Sequence, residues 1–104
     1  LAKEQEAPLD LGRAYRIQAE LLLVQGNEDE TAQLLEQSMG ILQKHDFRYE
    51  LARTYVALAR LHGQNNERRS EAEKVLEEAR TILRELGAEF DLNRADTLAR
   101  EMGL

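Results

Sequence analysis

One four-residue phrase returns three times along this chain at a nearly constant step. Asp10-Leu11-Gly12-Arg13 recurs as Glu50-Leu51-Ala52-Arg53 after 40 residues and as Asp91-Leu92-Asn93-Arg94 after a further 41. The pattern is acid, leucine, any residue, arginine, and a bulky residue (Leu9, Tyr49, Phe90) precedes each acid. Ala19, Ala59 and Ala99 also fall 40 apart, and Ala32-x-x-Leu35 is echoed by Ala72-x-x-Val75. Ser38, Ile41 and Leu42 are echoed by Ala79, Ile82 and Leu83 after a one-residue slip. A period of this length constrains the fold strongly. Each unit is one supersecondary element that buries its apolar face only against neighbouring units.

The apolar spacing inside each unit is helical. It predicts helices over residues 9–25, 28–45, 48–63, 67–86 and 90–102, joined by turns at Gly26-Asn27, at Asp46-Phe47, from Gly63 to Asn66 and at Gly87. Glu28, Asp29 and Glu30 lie at a helix start, where the backbone dipole favours negative charge. Gly87 suits a helix C-terminus because glycine adopts the left-handed backbone without strain. Helices of this length joined by short turns pack antiparallel to their neighbours. The expected fold is all-α, with about five helices in antiparallel pairs, forming one domain over residues 1–104. Within it, residues 1–7 read as the end of a preceding helix, 9–46 as repeat one and 48–86 as repeat two. Residues 90–102 read as a capping helix or the start of a third repeat. The start at Leu1 rather than Met reads as a piece of a longer protein.

Charge and residue usage narrow the function. The chain carries 20 acidic and 14 basic residues for a net charge of −6, against the basic excess of a general nucleic-acid binder. It lacks cysteine, which removes thiol catalysis, disulfides and cysteine-ligated zinc. No apolar run approaches the roughly 20 residues of a membrane span. The polar faces mix both signs, unlike the basic face of a membrane-surface helix. His45 and His62 stand 17 residues apart on different helices without a metal-binding phrase, and Ser38 and Ser70 sit in no nucleophile motif. Gly26, Gly40, Gly63 and Gly87 stand alone, so there is no phosphate loop. No catalytic residue, metal ligand or cofactor is expected, and the chain is not expected to be an enzyme. A cytoplasmic location is expected.

From Glu50 to Leu92 the sequence resembles tetratricopeptide repeats of the longer bacterial variety, with about 40 residues per repeat. Leu58-Ala59 resembles that family's Leu-Gly/Ala pair in the first helix. Ala72 and Ala79 resemble its two small residues in the second helix, and Leu86-Gly87-Ala88 followed by Asp91-Leu92 resembles its linker phrase. The resemblance covers roughly residues 10–100. It departs from the family in lacking tryptophan, in Gln18 where the second copy has Leu58, and in the long turn Gly63–Ser70. It implies a right-handed superhelix of helix pairs whose first helices line a groove that holds a protein or peptide. Such repeats stand beside signalling, transcriptional or ATPase domains.

The groove candidates that follow are Arg13, Arg16, Ile17 and Glu20 in the first copy, then Arg53, Val56, Ala57, Arg60 and Gln64, then Arg94, Thr97 and Glu101. Arg13, Arg53 and Arg94 share one repeat position. Stacked, they would form a basic ladder for an acidic segment or a free C-terminal carboxylate, since the guanidinium fork donates two parallel hydrogen bonds to a carboxylate. A structural reading stands beside this one. Each arginine follows an acid by three positions, and such helix neighbours stabilise a helix by roughly 0.2–0.5 kcal/mol per pair. Tyr15 and Tyr55 read as packing residues with their hydroxyls at the edge. Self-association through apolar repeat ends, near residues 1–7 and 88–104, is the alternative role.

Overall fold

The computed structural model describes the backbone of residues 2–104 and the side chains of residues 7–104. Five α-helices follow in order: α1 (Ala2–Val24), α2 (Glu28–Lys44), α3 (Arg48–Gly63), α4 (Arg69–Leu86) and α5 (Glu89–Glu101). A single 3-10 turn (Asn66–Arg68) leads into α4, and there is no strand among the described residues.

The turns form where side chains permit them. Gly26 takes φ +83° and Asn27 accepts a hydrogen bond from the Glu30 backbone N–H, capping α2. Gly87 ends α4 at φ +68°, and Asp46 does the same work after α2 at φ +56°. Aspartate tolerates that conformation better than most residues. Asn65 caps the 3-10 turn by accepting from the Glu67 N–H at 2.9 Å, so regular α-helix begins at Arg69, two residues after the expected start.

α1 is the one element that departs substantially from expectation. Residues 2–7 continue into α1 instead of ending a separate helix, and Pro8 lies inside it; Leu1 is outside the described residues. The physical reason is local. Where the later repeats place Asp46 or Gly87 in the left-handed region, the first copy has Glu6. Glutamate has no comparable tolerance for positive φ, so no residue here favours the left-handed turn, and Pro8, which forfeits one backbone hydrogen bond, lies within a continuous helix.

Helices pack antiparallel within each pair. Gly12 and Ala19 of α1 meet Ser38 and Thr31 of α2, and Arg48 and His62 of α3 meet Glu85 and Glu71 of α4. α1 also touches α3, and α3 touches α5, whereas α2 and α4 do not touch. The first helices of successive units therefore form one continuous row. Two apolar clusters hold the molecule. Ala19, Leu23, Leu35, Ala57 and Leu61 join α1, α2 and α3. Ala52, Leu76, Ala79, Leu83, Ala95 and Leu98 form the heart of the cluster joining α3, α4 and α5.

The third position of the repeated phrase, read as any residue, is a point of close approach. A Cβ on Gly12 would stand 2.7 Å from Leu42 Cδ2, and Ala52 in the same register is fully buried. Burial also fixes the register of the last copy. Thr54, Ala57 and Leu58 correspond to Ala95, Leu98 and Ala99, each 41 residues on. Ala99 is thus the counterpart of Leu58, not of Ala59, and its 40-residue spacing from Ala59 is not structural equivalence.

Candidate functional site

The row of α1, α3 and α5 brings together most of the residues expected to line a groove. A cavity of about 80 Å³ is lined by Arg16 and Glu20 from α1, by Arg53, Val56, Ala57 and Arg60 from α3, and by Asp91 and Arg94 from α5, with Leu83 at its floor. An adjoining cavity of about 440 Å³ shares Arg60 and Arg94 and adds Phe90, Asn93, Thr97, Leu98 and Glu101. Together they make a cleft along three successive first helices.

Three of the expected residues lie elsewhere. Arg13 turns toward Glu50 and is not part of the cleft lining. Ile17 is 55% exposed on a different face of α1, and Gln64 is the exposed C-cap of α3. The ladder of Arg13, Arg53 and Arg94 is therefore not one surface. The arginines that share the cleft are Arg16, Arg53, Arg60 and Arg94.

Beside the cleft lies a buried ionic cluster. Glu50, 5% exposed, accepts from Arg13 Nε at 3.3 Å and from an Arg16 terminal nitrogen at 3.1 Å. Arg53 comes within 3.8 Å of it from the next turn. Arg16, 4% exposed, also pairs with Glu20, while its Nε has no hydrogen-bond partner among the described residues. A buried charge held from several sides loses much of its desolvation cost to its partners. Glu50 in this role was not legible in the sequence, where it reads as the helix-start partner of Arg53. The only signal was the Arg13/Arg16 pair, two cations one turn apart facing a neighbouring helix.

The i,i+3 pairs are realised unevenly. Asp10–Arg13 spans 3.9 Å and Glu50–Arg53 3.8 Å, both long. Asp91 instead accepts from the Tyr49 hydroxyl at 2.6 Å, and no carboxylate among the described residues lies within ion-pair distance of Arg94. The hydrogen bond to Asp91 holds the Tyr49 pKa above its usual 10.0, because it favours the neutral phenol. Two aromatic rings orient the cleft arginines: Arg53 lies 5.7 Å from the Tyr49 ring centroid and Arg94 5.9 Å from that of Phe90.

The histidines are used for packing. His45 stacks on Phe47. His62 is half-buried with Nε2 3.7 Å from Glu71, and burial pushes its pKa below 6.5 more than Glu71 lifts it. Tyr55 packs on the second cluster, and its hydroxyl accepts from Gln43 Nε2 at 2.9 Å. Among the described residues no group of three or more His, Asp or Glu is placed to hold a metal ion, and no helix is long and apolar enough to cross a membrane. No family model, no curated protein and no solved structure matches this chain.

Proposed function

We propose that the chain is a non-catalytic binding module of tetratricopeptide type whose cleft along α1, α3 and α5 holds an acidic peptide segment of a partner protein. One observation carries the reading. The first cavity sets four guanidiniums against two carboxylates in a chain of net charge −6, and both carboxylates are already engaged. Glu20 pairs with Arg16, and Asp91 accepts from Tyr49. Arg60 and Arg94, both exposed, have no carboxylate within ion-pair distance among the described residues. Arg16 also lines the cavity, with its guanidinium held by Glu20 and Glu50. Arginines fixed over aromatic faces keep their donor edges for a ligand and lose less conformational freedom on binding.

The pairwise antiparallel packing and the continuous row of first helices fit the right-handed superhelix that the resemblance implies, which would place the cleft on its inner side. The test is fluorescence anisotropy with a labelled Glu/Asp-rich decapeptide and a Lys/Arg-rich decapeptide as control. The acidic peptide is expected to bind and the basic one not to bind. Arg60→Ala with Arg94→Ala is expected to weaken the acidic peptide at least tenfold, with a smaller salt dependence. Equal affinity for both peptides, or an unchanged affinity in the double variant, would contradict the proposal.

A further inference from the structure

Resting on the acidic-peptide reading above, we infer that Tyr49 is a positioning residue for the cleft, whose hydroxyl holds Asp91 and so keeps Arg94 open for a ligand carboxylate. The three copies of the repeated phrase differ in one respect. In the first copy Arg13 lies 3.9 Å from Asp10, and in the second Arg53 lies 3.8 Å from Glu50. The third copy is open. Asp91 accepts a hydrogen bond from the Tyr49 hydroxyl at 2.6 Å, and no carboxylate among the described residues lies within ion-pair distance of Arg94. Acid and arginine keep the same i,i+3 spacing in all three copies, so the helix alone does not account for the difference. The bond from the neighbouring unit does.

The hydroxyl is the part of Tyr49 that packing does not require. A bulky residue stands before each acid of the phrase, and Leu9 and Phe90 fill that position without a donor. Tyr49 lies in the first turn of α3 and Asp91 in the first turn of α5, so the bond crosses the junction between units. At the earlier junction the acid is held by cations instead: Glu50 accepts from Arg13 and Arg16 of α1. The residues of α3 in the same register are Arg53 and Val56, so the later junction lacks the counterpart of Arg16. A phenol fixes the Asp91 carboxylate without consuming a guanidinium. Released from it, Asp91 stands one turn before Arg94, at the spacing where acid and base pair on a helix. That pair would spend one of the cleft's two free guanidiniums and turn a negative charge toward an incoming acid. The Tyr49 ring has a separate task. Arg53 lies 5.7 Å from its centroid, and a phenylalanine ring keeps that contact.

The test is a double-mutant cycle read by fluorescence anisotropy with the labelled Glu/Asp-rich decapeptide. It uses the full chain, Tyr49→Phe, Asp91→Asn and the combined variant. Tyr49→Phe is expected to weaken binding about two- to fivefold, the worth of one exposed ion pair formed at the ligand's expense. In the Asp91→Asn background the same substitution is expected to leave the affinity as it is, because no acid remains at that position to pair with Arg94. Equal losses in the two backgrounds would make Tyr49 a packing residue and overturn the inference. So would an unchanged affinity in Tyr49→Phe while Arg60→Ala with Arg94→Ala weakens the peptide, a result that leaves the cleft reading standing. A chain that does not bind the peptide at all would overturn both.

Discussion

Where α3 meets the first helix pair, the hydroxyls of Ser38 and Thr54 lie 3.2 Å apart, and Glu50 gathers Arg13 and Arg16 beside them. Where α5 meets the second pair, the residues in the same register are Ala79, Ala95 and Asp91. Both alanines are fully buried, and Asp91 sits half-exposed with only the Tyr49 hydroxyl donating to it among the described residues. The junction residues stand in the same register, Ser38 and Thr54 as far apart in sequence as Ala79 and Ala95, and the chemistry differs. Stacking of the pairs is thus specified by side-chain size at the crossing points, while the polar content is free to vary. The polar junction is the more fragile of the two, because each of its members depends on the others.

Removing the acid from each junction separates them most widely. Glu50→Ala is expected to cost about 3–5 kcal/mol, because Arg16 is left buried with too few partners, whereas Asp91→Ala should cost less than about 1 kcal/mol. Urea unfolding followed by helical circular dichroism measures both, and equal losses would erase the distinction. Closeness of packing gives the next effect. Gly12→Ala puts a methyl against Leu42 and should cost about 1–3 kcal/mol, although the second pair holds Ala52 at that position. Gly40→Ala, with nothing within 4 Å of the added carbon, should stabilise α2 by up to about 1 kcal/mol. The same unfolding curves decide the two signs.

A double-mutant cycle sharpens the comparison further. Ser38→Ala alone removes the hydroxyl that donates to the Gly12 carbonyl at 2.8 Å and should cost about 1 kcal/mol. Combined with Thr54→Val, which moves the junction toward its alanine counterpart, the total loss should fall below the sum of the two single losses. Strict additivity would mean that the hydroxyls do not act as a unit.

The smallest effect is the pH response of His62. Its folded pKa lies below the unfolded value of 6.5 because burial disfavours the cation. The unfolded chain therefore binds the proton first. Any stability that depends on neutral His62 is fully present above about pH 6.5 and is lost as the pH falls below it, down to the folded pKa. His62→Gln should flatten that part of the stability profile, and an unchanged slope would assign it to the carboxylates.

Much of the architecture was readable because turn residues and apolar period agree. α2 and α3 fall within a residue of expectation, since Gly26-Asn27 and Asp46 supply backbone conformations that few other residues adopt easily. α1 departs from expectation at its start because Pro8 reads as a boundary in sequence, while Glu6 stands where Asp46 and Gly87 turn the chain and does not favour that turn. Ala99 echoes Ala59 in sequence without sharing its place, because one additional residue precedes α5. The cleft was legible in part. Repeat position put Arg53, Arg60 and Arg94 on adjacent first helices, but it gave no information on which carboxylates would be spent. Only packing shows that Arg13 is drawn to Glu50 and that Tyr49 takes Asp91 from Arg94. Those are contacts between units, and a one-helix reading of i,i+3 neighbours does not reach them.

The cleft reading meets its most direct test in the amide spectrum of the 15N-labelled chain during titration with a Glu/Asp-rich decapeptide. Shifts concentrated at Arg53, Arg60, Arg94 and Thr97, with α2 and the exposed side of α4 unmoved, are the predicted result. Shifts confined to the outer faces of α2 and α4, or no shifts at all, would contradict it.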